Sequence, residues 1–256
     1  MRDFVRRCMP AAWYEWLAGR YQTLRRLFVY PPGADLQRSN YDEYWREKSA
    51  KTPDRMSEWR RRRARVLTTI IGDGDHILDL GTGDGAILKY LIASRRIEAQ
   101  GLDISPAAVR FCRSQGLDVD VGDLANPRQA IPEGCWDYIV MTETLEHLAN
   151  PEAVLDAVRL RARKGVIVSV PNTGYITHRI RLALGRFPLQ WIVCPGEHLR
   201  FWTAADFEWW TRNLGFTIVQ RHPYEGVRGL MGWWPSMFAA GIVYVLQNAK
   251  VEAPRP

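Results

Sequence analysis

The sequence predicts an α/β protein built on a doubly wound, Rossmann-like parallel sheet. Three observations predict it. From His76 onward, short β-branched runs alternate with amphipathic stretches of helical period, the pattern of strand, crossover helix and parallel strand. A glycine-rich turn, "LDLGTGDGA" (Leu78 to Ala86), stands between the first strand and the first helix of that series, where such sheets hold ligands. The chain of 256 residues with 46% hydrophobic content suffices for one principal domain with some decoration.

The elements follow in order. Residues 1–38 read as an amphipathic helical extension after Pro10, with Trp13, Trp16, Leu17, Leu24, Leu27 and Phe28 on one side and Arg20, Arg25 and Arg26 elsewhere, stopped by "YPPG". Residues 39–75 form a helical cap, with one helical stretch from Tyr41 to about Ile71. The main domain spans 76–250. "HILDL" is its first strand, "GAILKYLIASR" a helix, "AQGLDI" a strand, and "SPAAVRFCRSQG" a helix with Ser105 as N-cap and Pro106 at its first position. Then come the strands "LDVDVGD" and "WDYIVMT", the helix "NPEAVLDAVRLRA" and the strand "GVIVSV". A long insertion at 173–202 reads as a lid. "AADFEWWTRNLGF" is a helix ending at Gly215, and "FTIVQRH" and "GIVYVLQ" are two further strands.

Composition excludes several classes. Cys8, Cys112, Cys135 and Cys194 lack metal-ligand or disulfide spacing, so no metal site is expected and a reducing cytoplasm fits. Arg2, Arg6 and Arg7 are not followed by an apolar run, so no signal peptide is read. Gly229 to Ala249 lacks charge over about a membrane span, but Pro235 and the glycines interrupt it and its second half is β-branched. The net charge of +7 is concentrated in the arginine-rich first third, densest at "WRRRRARVL" (Trp59 to Leu67). Without aromatic platforms or a repeated basic motif, this run is read as a solvated helix face, and a nucleic-acid partner is disfavoured. The N-terminal helix could lie on a membrane surface or fold as a lid.

The glycines alone fit two ligands. Gly81, Gly83 and Ala86 satisfy the dinucleotide spacing, while Gly81, Gly83 and Gly85 form a tighter alternation. Asp79 and Asp84 decide against a pyrophosphate, which a helix N-terminus would otherwise attract. Two acids suit a cation, and S-adenosyl-L-methionine carries an ammonium and a sulfonium. Asp103, ending the second strand, is placed to accept from ribose hydroxyls, and Asp123 from an adenine amino group.

In this order, "LDLGTGDG", "GLDIS", "VGDL", "YIVMTETLEHLANP", "VIVSVPN" and "EHLRFWTAADFEWWTRNLGF" resemble the class I S-adenosylmethionine-dependent methyltransferases over roughly Ser39 to Gln247. The resemblance implies a seven-stranded, mostly parallel sheet with an antiparallel C-terminal strand, and S-adenosyl-L-methionine as cofactor with S-adenosyl-L-homocysteine as product. It implies that Asp79, Gly81, Thr82, Gly83 and Gly85 cradle the methionine end, Asp103 the ribose, and Asp123 with Leu124 the adenine, with Ile104 and Thr142 as further cofactor-binding residues. "NYDEYW" (Asn40 to Trp45) resembles a segment covering the methyl group, so Tyr41 and Trp45 are candidates to face the sulfonium. "SVPNTG", the lid and "WWPSMFAAGIVYVLQ" are similar to MetW-like proteins, whereas the Glu-His pair of "TETLEHL" is more like ubiquinone and polysaccharide-cluster methyltransferases.

The expected reaction is methyl transfer, most simply to oxygen, of a small molecule, glycan or lipid-linked acceptor. Holding the acceptor in line supplies up to roughly 7–11 kcal/mol in model reactions. A hydroxyl acceptor also needs a base. His147 and His198 lie after strands at the acceptor edge and are the catalytic candidates, with Glu143 to orient one of them. The lid carries Arg179, Arg181, Arg186, Phe187, Trp191 and Ile192, which suits an acidic amphiphile or a packed cover. A non-catalytic MetW-like cofactor-binding protein that regulates a partner enzyme is the alternative. A nicotinamide-dependent oxidoreductase is a further one.

Overall fold

A computed structural model describes residues 56–188 and 198–249, together with Asp42, Glu43 and Trp45. Contacts divide the chain into two compact units, Met1–Leu36 with Ile176–Pro195, and Gln37–Tyr175 with Gly196–Pro256. The second unit holds the sheet. Its elements are α1 (Glu58–Ile70), β1 (His76–Leu80), α2 (Ala86–Ser94), β2 (Glu98–Asp103), α3 (Pro106–Ser114), β3 (Val119–Val121), the short α4 (Pro127–Ala130), β4 (Trp136–Thr142), a 3₁₀ turn (Leu145–His147), α5 (Pro151–Val158) and β5 (Ala162–Pro171). After α6 (Ile176–Ala183), which belongs to the first unit, come α7 (Ala204–Asn213), β6 (Phe216–Gly226), α8 (Pro235–Phe238) and β7 (Ala239–Asn248).

The seven strands run in the order β3-β2-β1-β4-β5-β7-β6. β1 pairs in parallel with β2 and β4, and β4 with β5, whereas β7 is antiparallel to both β5 and β6. The expected sheet, with its antiparallel C-terminal strand, is therefore present. Alternation along the strands sends Leu78, Leu80, Ile139, Met141, Val166 and Val168 to one apolar core, and Ile77, Val140, Ile167, Val243 and Val245 to the other. Strands covered on both faces by helices must be apolar on both.

Local chemistry sets the boundaries. The Ser105 hydroxyl accepts from Ala108 N (3.2 Å), capping α3, which has Pro106 in its first turn. α7 opens on a capping box between Thr203 and Asp206, and Gly215 follows it at φ +79°. Three expectations are corrected. The stretch from Tyr41 is not one continuous helix, because Ser57 is extended (φ −62°, ψ 153°) and caps α1. α5 stops at Val158, not Ala162, where β5 has already begun. β3 is three residues long. The segment after β5 contains α6, where burial next to Arg181 lowers the His178 pKa to about 4. Among the described residues no helix is long and apolar enough to cross a membrane. The 1–38 extension, Tyr41, Trp191, Ile192 and Cys194 lie outside the described residues.

The arginine run is not simply a solvated face. Arg60 forms a bidentate pair with Asp84, Arg62 reaches Glu225 at 2.9 Å, and Arg63, 4% exposed, lies 3.1 Å from Glu143. Only Arg61 and Arg65 of the run stand in the exposed class. The run therefore clamps α1 to acids on the carboxyl edge of the sheet.

Candidate functional site

The turn after β1 is built by glycine. Gly81, Gly83 and Gly85 have φ of +81°, +61° and +70°, the left-handed region that side chains avoid. Space is short as well. A Cβ on Gly81 would lie 2.7 Å from Thr144 Oγ1, and one on Gly83 would lie 2.5 Å from the ring of Trp45. Trp45 thus covers the turn as its sequence position suggests.

The amides of this turn are already engaged. Gly81 N and Thr82 N donate to Leu102 O (2.7 and 3.1 Å), Gly83 N to Asp103 Oδ2 (2.7 Å), Gly85 N to Thr82 O (3.2 Å) and Ala86 N to Asp84 Oδ1 (3.2 Å). A phosphate-binding turn instead presents such amides to the ligand. Thr82, 6% exposed, bonds Asp79 O through its hydroxyl at 2.9 Å and so braces the turn from inside.

Acids line the same edge. Asp79, at 3% exposure, has an Oδ1 without a hydrogen bond among the described residues, and burial raises its pKa to about 7. Such a group gains from a cation. Asp103 accepts from Gly83 N and from Ser105 N (2.9 Å); burial raises its pKa while these bonds act against the rise. Each of its oxygens keeps a second lone pair for a hydroxyl donor. Ile104, 48% exposed, stands beside it as an apolar shelf. Asp123 is exposed and accepts from Ala125 N at 2.8 Å, with Leu124 tucked beneath at 8% exposure. The expectation that Asp84 offers a second acid to the ligand is corrected, because Arg60 already pairs with both of its oxygens.

Further along the edge, β4 ends at Thr142 and the chain turns through Glu143 at φ +55°, a conformation that a residue with a Cβ holds only when its surroundings enforce it. Those surroundings are visible. Glu143 Oε1 accepts from Ser169 Oγ (2.9 Å) and Tyr224 OH (3.0 Å) and lies 3.1 Å from Arg63, while Trp59 Nε1 donates to Tyr224 OH at 3.1 Å. Glu143 is therefore locked by donors, and it does not reach a histidine as an orienting partner in any hydrogen bond found among the described residues. Thr144 returns its hydroxyl to Leu80 O at 3.1 Å, tying the β4 end to the glycine turn.

The two histidine candidates come together. The rings of His147 and His198 meet edge to face, 4.7 Å apart. Burial, then the neighbouring His147, lowers the His198 pKa to about 4, and its Nδ1 has no hydrogen bond among the described residues. Glu146, His147 and His198 bring one potential ligand atom each within 4.8 Å of one another, although His147 and His198 are far apart in the sequence. Asn172, just past β5, is saturated: Nδ2 donates to Ala239 O (2.7 Å), and Oδ1 accepts from Gly174 N (2.9 Å) and Ala204 N (3.0 Å).

Several residues of this edge were not among the site candidates. Asp42 Oδ1 accepts from Ser105 Oγ (3.0 Å) and Ala107 N (2.7 Å). Arg60, Arg63, Trp59 and Tyr224 arrive from elements distant in the chain; the four-residue spacing that puts Trp59 and Arg63 on one face of α1 is the sequence signal that could have found two of them.

Comparison with known proteins places this geometry. The family model of the methionine biosynthesis protein MetW matches residues 61–246. The chain belongs to the MetW family. A bifunctional methionine biosynthesis protein MetXA/MetW of Rhodopirellula baltica is 29% identical over 156 residues, 55% of this chain and 25% of that protein. A ubiquinone biosynthesis O-methyltransferase of Cupriavidus pinatubonensis is 28% identical over 57% of this chain and 62% of its own length. The chain thus spans less than two thirds of these relatives. The CcbJ methyltransferase of Streptomyces caelestis shares the fold with a TM-score of 0.60 at 14% identity, covering 83% of this chain and 99% of that one. This MetW-family chain keeps the Glu-His pair of "TETLEHL" and still falls within the family model.

Proposed function

We propose that the protein is an S-adenosyl-L-methionine-dependent methyltransferase acting on an oxygen of a small molecule, glycan or lipid-linked acceptor. The observation that carries the reading is the pairing of a buried, unsatisfied Asp79 with a glycine turn whose amides are already engaged. That arrangement repels a phosphate and welcomes an ammonium. Asp79 would hold the amino group of the cofactor, Asp103 the ribose hydroxyls, Ile104 and Leu124 the faces of the adenine, and Asp123 its amino group. Trp45 would close over the turn.

When bound, the cofactor supplies an activated methyl group, and the residues of the chain orient the acceptor and receive its proton. His198 is neutral near pH 7 because its pKa is lowered to about 4, so it can accept a hydrogen bond from an acceptor hydroxyl at once. Its weak basicity means that proton transfer runs with methyl transfer rather than ahead of it. His147, in edge contact, completes the pair. Glu143, fixed by Arg63, Ser169 and Tyr224, positions the floor of the acceptor edge.

Family membership supports a second reading, a MetW protein that binds the cofactor and regulates a partner enzyme without turnover. Calorimetric titration with S-adenosyl-L-homocysteine, with NAD as control, tests the cofactor. Saturable binding of the first alone is expected, and binding of NAD alone would overturn both readings. Incubation with radiolabelled methyl donor and a panel of hydroxylated acceptors then separates the two, since cofactor binding without transfer to any acceptor favours the regulatory one.

A further inference from the structure

The segment joining β6 to β7 gathers exposed apolar side chains in a short stretch of chain. β6 ends with Gly226 paired to Ala239, and Gly241 pairs with Pro171 at the end of β5, so residues 227–238 lie on the carboxyl edge that carries the glycine turn. Their sequence, "VRGLMGWWPSMF", has no acidic residue and one cation. Trp233 is 75% exposed, Trp234 46% and Leu230 41%, whereas Trp202 and Trp136 are buried. Exposed apolar side chains gathered in one loop mark an interaction surface.

Much of the backbone of this loop is paired within the loop. Leu230 N and Met231 N donate to Val227 O (3.1 and 2.9 Å), Trp233 N and Trp234 N to Leu230 O (3.1 and 2.9 Å), and Val227 N to Phe238 O (2.9 Å). Pairing these amides within the loop lowers the cost of bringing them into a region poor in water. The two indoles stand edge to face at 6.1 Å, and tryptophan is the side chain that favours the boundary of a bilayer. Arg228 is exposed and makes no ion pair among the described residues. A free cation beside exposed indoles, in a stretch without acids, complements an anionic lipid surface.

We infer that the Arg228–Trp234 loop docks the protein on an anionic membrane surface. Resting on the reading of this edge as the acceptor mouth, the inference narrows the acceptor to an amphiphile held in that surface and delivered across the loop.

Flotation of the full chain with phosphatidylcholine vesicles, with and without phosphatidylglycerol, tests it. The wild type should float with the anionic vesicles and detach at high salt. The double variant Trp233→Ser/Trp234→Ser should lose about tenfold or more in partition, and Arg228→Gln about fivefold. Both substitutions lie on exposed side chains, and an unchanged S-adenosyl-L-homocysteine affinity and circular dichroism spectrum would show that the fold is intact. Should the double variant fail to fold, Arg228→Gln alone carries the test. Absence of wild-type flotation, or equal flotation of the variants, overturns the inference. So does a light-scattering dimer abolished by the double variant in the absence of flotation, which would assign the loop to a second copy of the chain. Flotation without cofactor binding would remove the methyltransferase reading and leave the docking surface in place, and cofactor binding without flotation would do the reverse.

Discussion

Replacing Asp79 by asparagine should move stability and cofactor binding in opposite directions. The Asp79 carboxyl is 3% exposed, one of its oxygens has no hydrogen bond among the described residues, and burial raises its pKa from an ordinary 3.8 to about 7. Between those values the folded state binds more protons than the unfolded one. Stability therefore falls as pH rises through that window, by about 1.4 kcal/mol per unit, and the accumulated cost approaches about 4 kcal/mol above pH 7 as an upper bound. Asparagine keeps the shape and abolishes the charge, at the cost of about 1–3 kcal/mol for a buried amide. Urea unfolding at pH 5, 6, 7 and 8 should accordingly show wild type and Asp79→Asn converging or crossing at low pH, with the variant gaining steadily on the wild type up to about pH 7. Over the same interval, wild-type affinity for S-adenosyl-L-homocysteine should strengthen with pH as the carboxylate forms, and the variant should lose at least tenfold at pH 8. A stability difference that does not change with pH would refute the account of Asp79 as a charge awaiting a cationic partner. An unchanged affinity would refute its place in the site.

Other outcomes follow from the same edge. Glu143→Ala leaves Arg63 buried without its acid and should destabilise the protein by about 3–5 kcal/mol in urea unfolding, and since alanine keeps a Cβ at φ +55° the backbone strain is not relieved. Gly83→Ala drives a Cβ to within 2.5 Å of the Trp45 ring at φ +61°, so calorimetry should show weaker S-adenosyl-L-homocysteine binding, with a loss of about 1–3 kcal/mol. Asp103→Ala should lose most cofactor affinity while His198→Ala retains it; equal loss in both would make His198 a structural residue. With its pKa lowered to about 4, His198 should leave the pH–rate profile of methyl transfer at saturating cofactor flat from pH 8 down to about 5, and a fall centred near 6.5 under that condition would exclude it as the proton acceptor.

The fold was legible because its signals are local. The "HILDL" strand, the Ser105-Pro106 helix start and the Gly215 stop each depend on a few neighbouring residues, and all appear as read. The glycine turn and the acids at the ends of β1 and β2 were legible for a related reason, since a glycine-rich turn and an acid at a strand end mark their positions without help from distant chain. The arginine run was misread because its partners are Asp84, Glu143 and Glu225, and no spacing rule links α1 to those loops. Glu143 suggested a free carboxylate near a histidine. Only the fold brings Tyr224, 81 residues away, to occupy it. The end of α5 was overrun because helical propensity continues past Val158, whereas β5 captures Ala162 through its pairing with Trp136.

The strand order has a consequence for how the protein is made. β7 lies between β5 and β6, so the outer edge of β5, whose residues Val166 to Pro171 are all buried in the finished fold, stays open while the ribosome adds everything from α6 to β6. A ribbon of unpaired, apolar backbone invites sticking to other nascent chains. The interval between emergence of residue 171 and residue 248 is therefore the window in which the chain depends most on chaperones. Slower translation over β6 and β7 should then lower the soluble yield more than the same delay over β1 and β2.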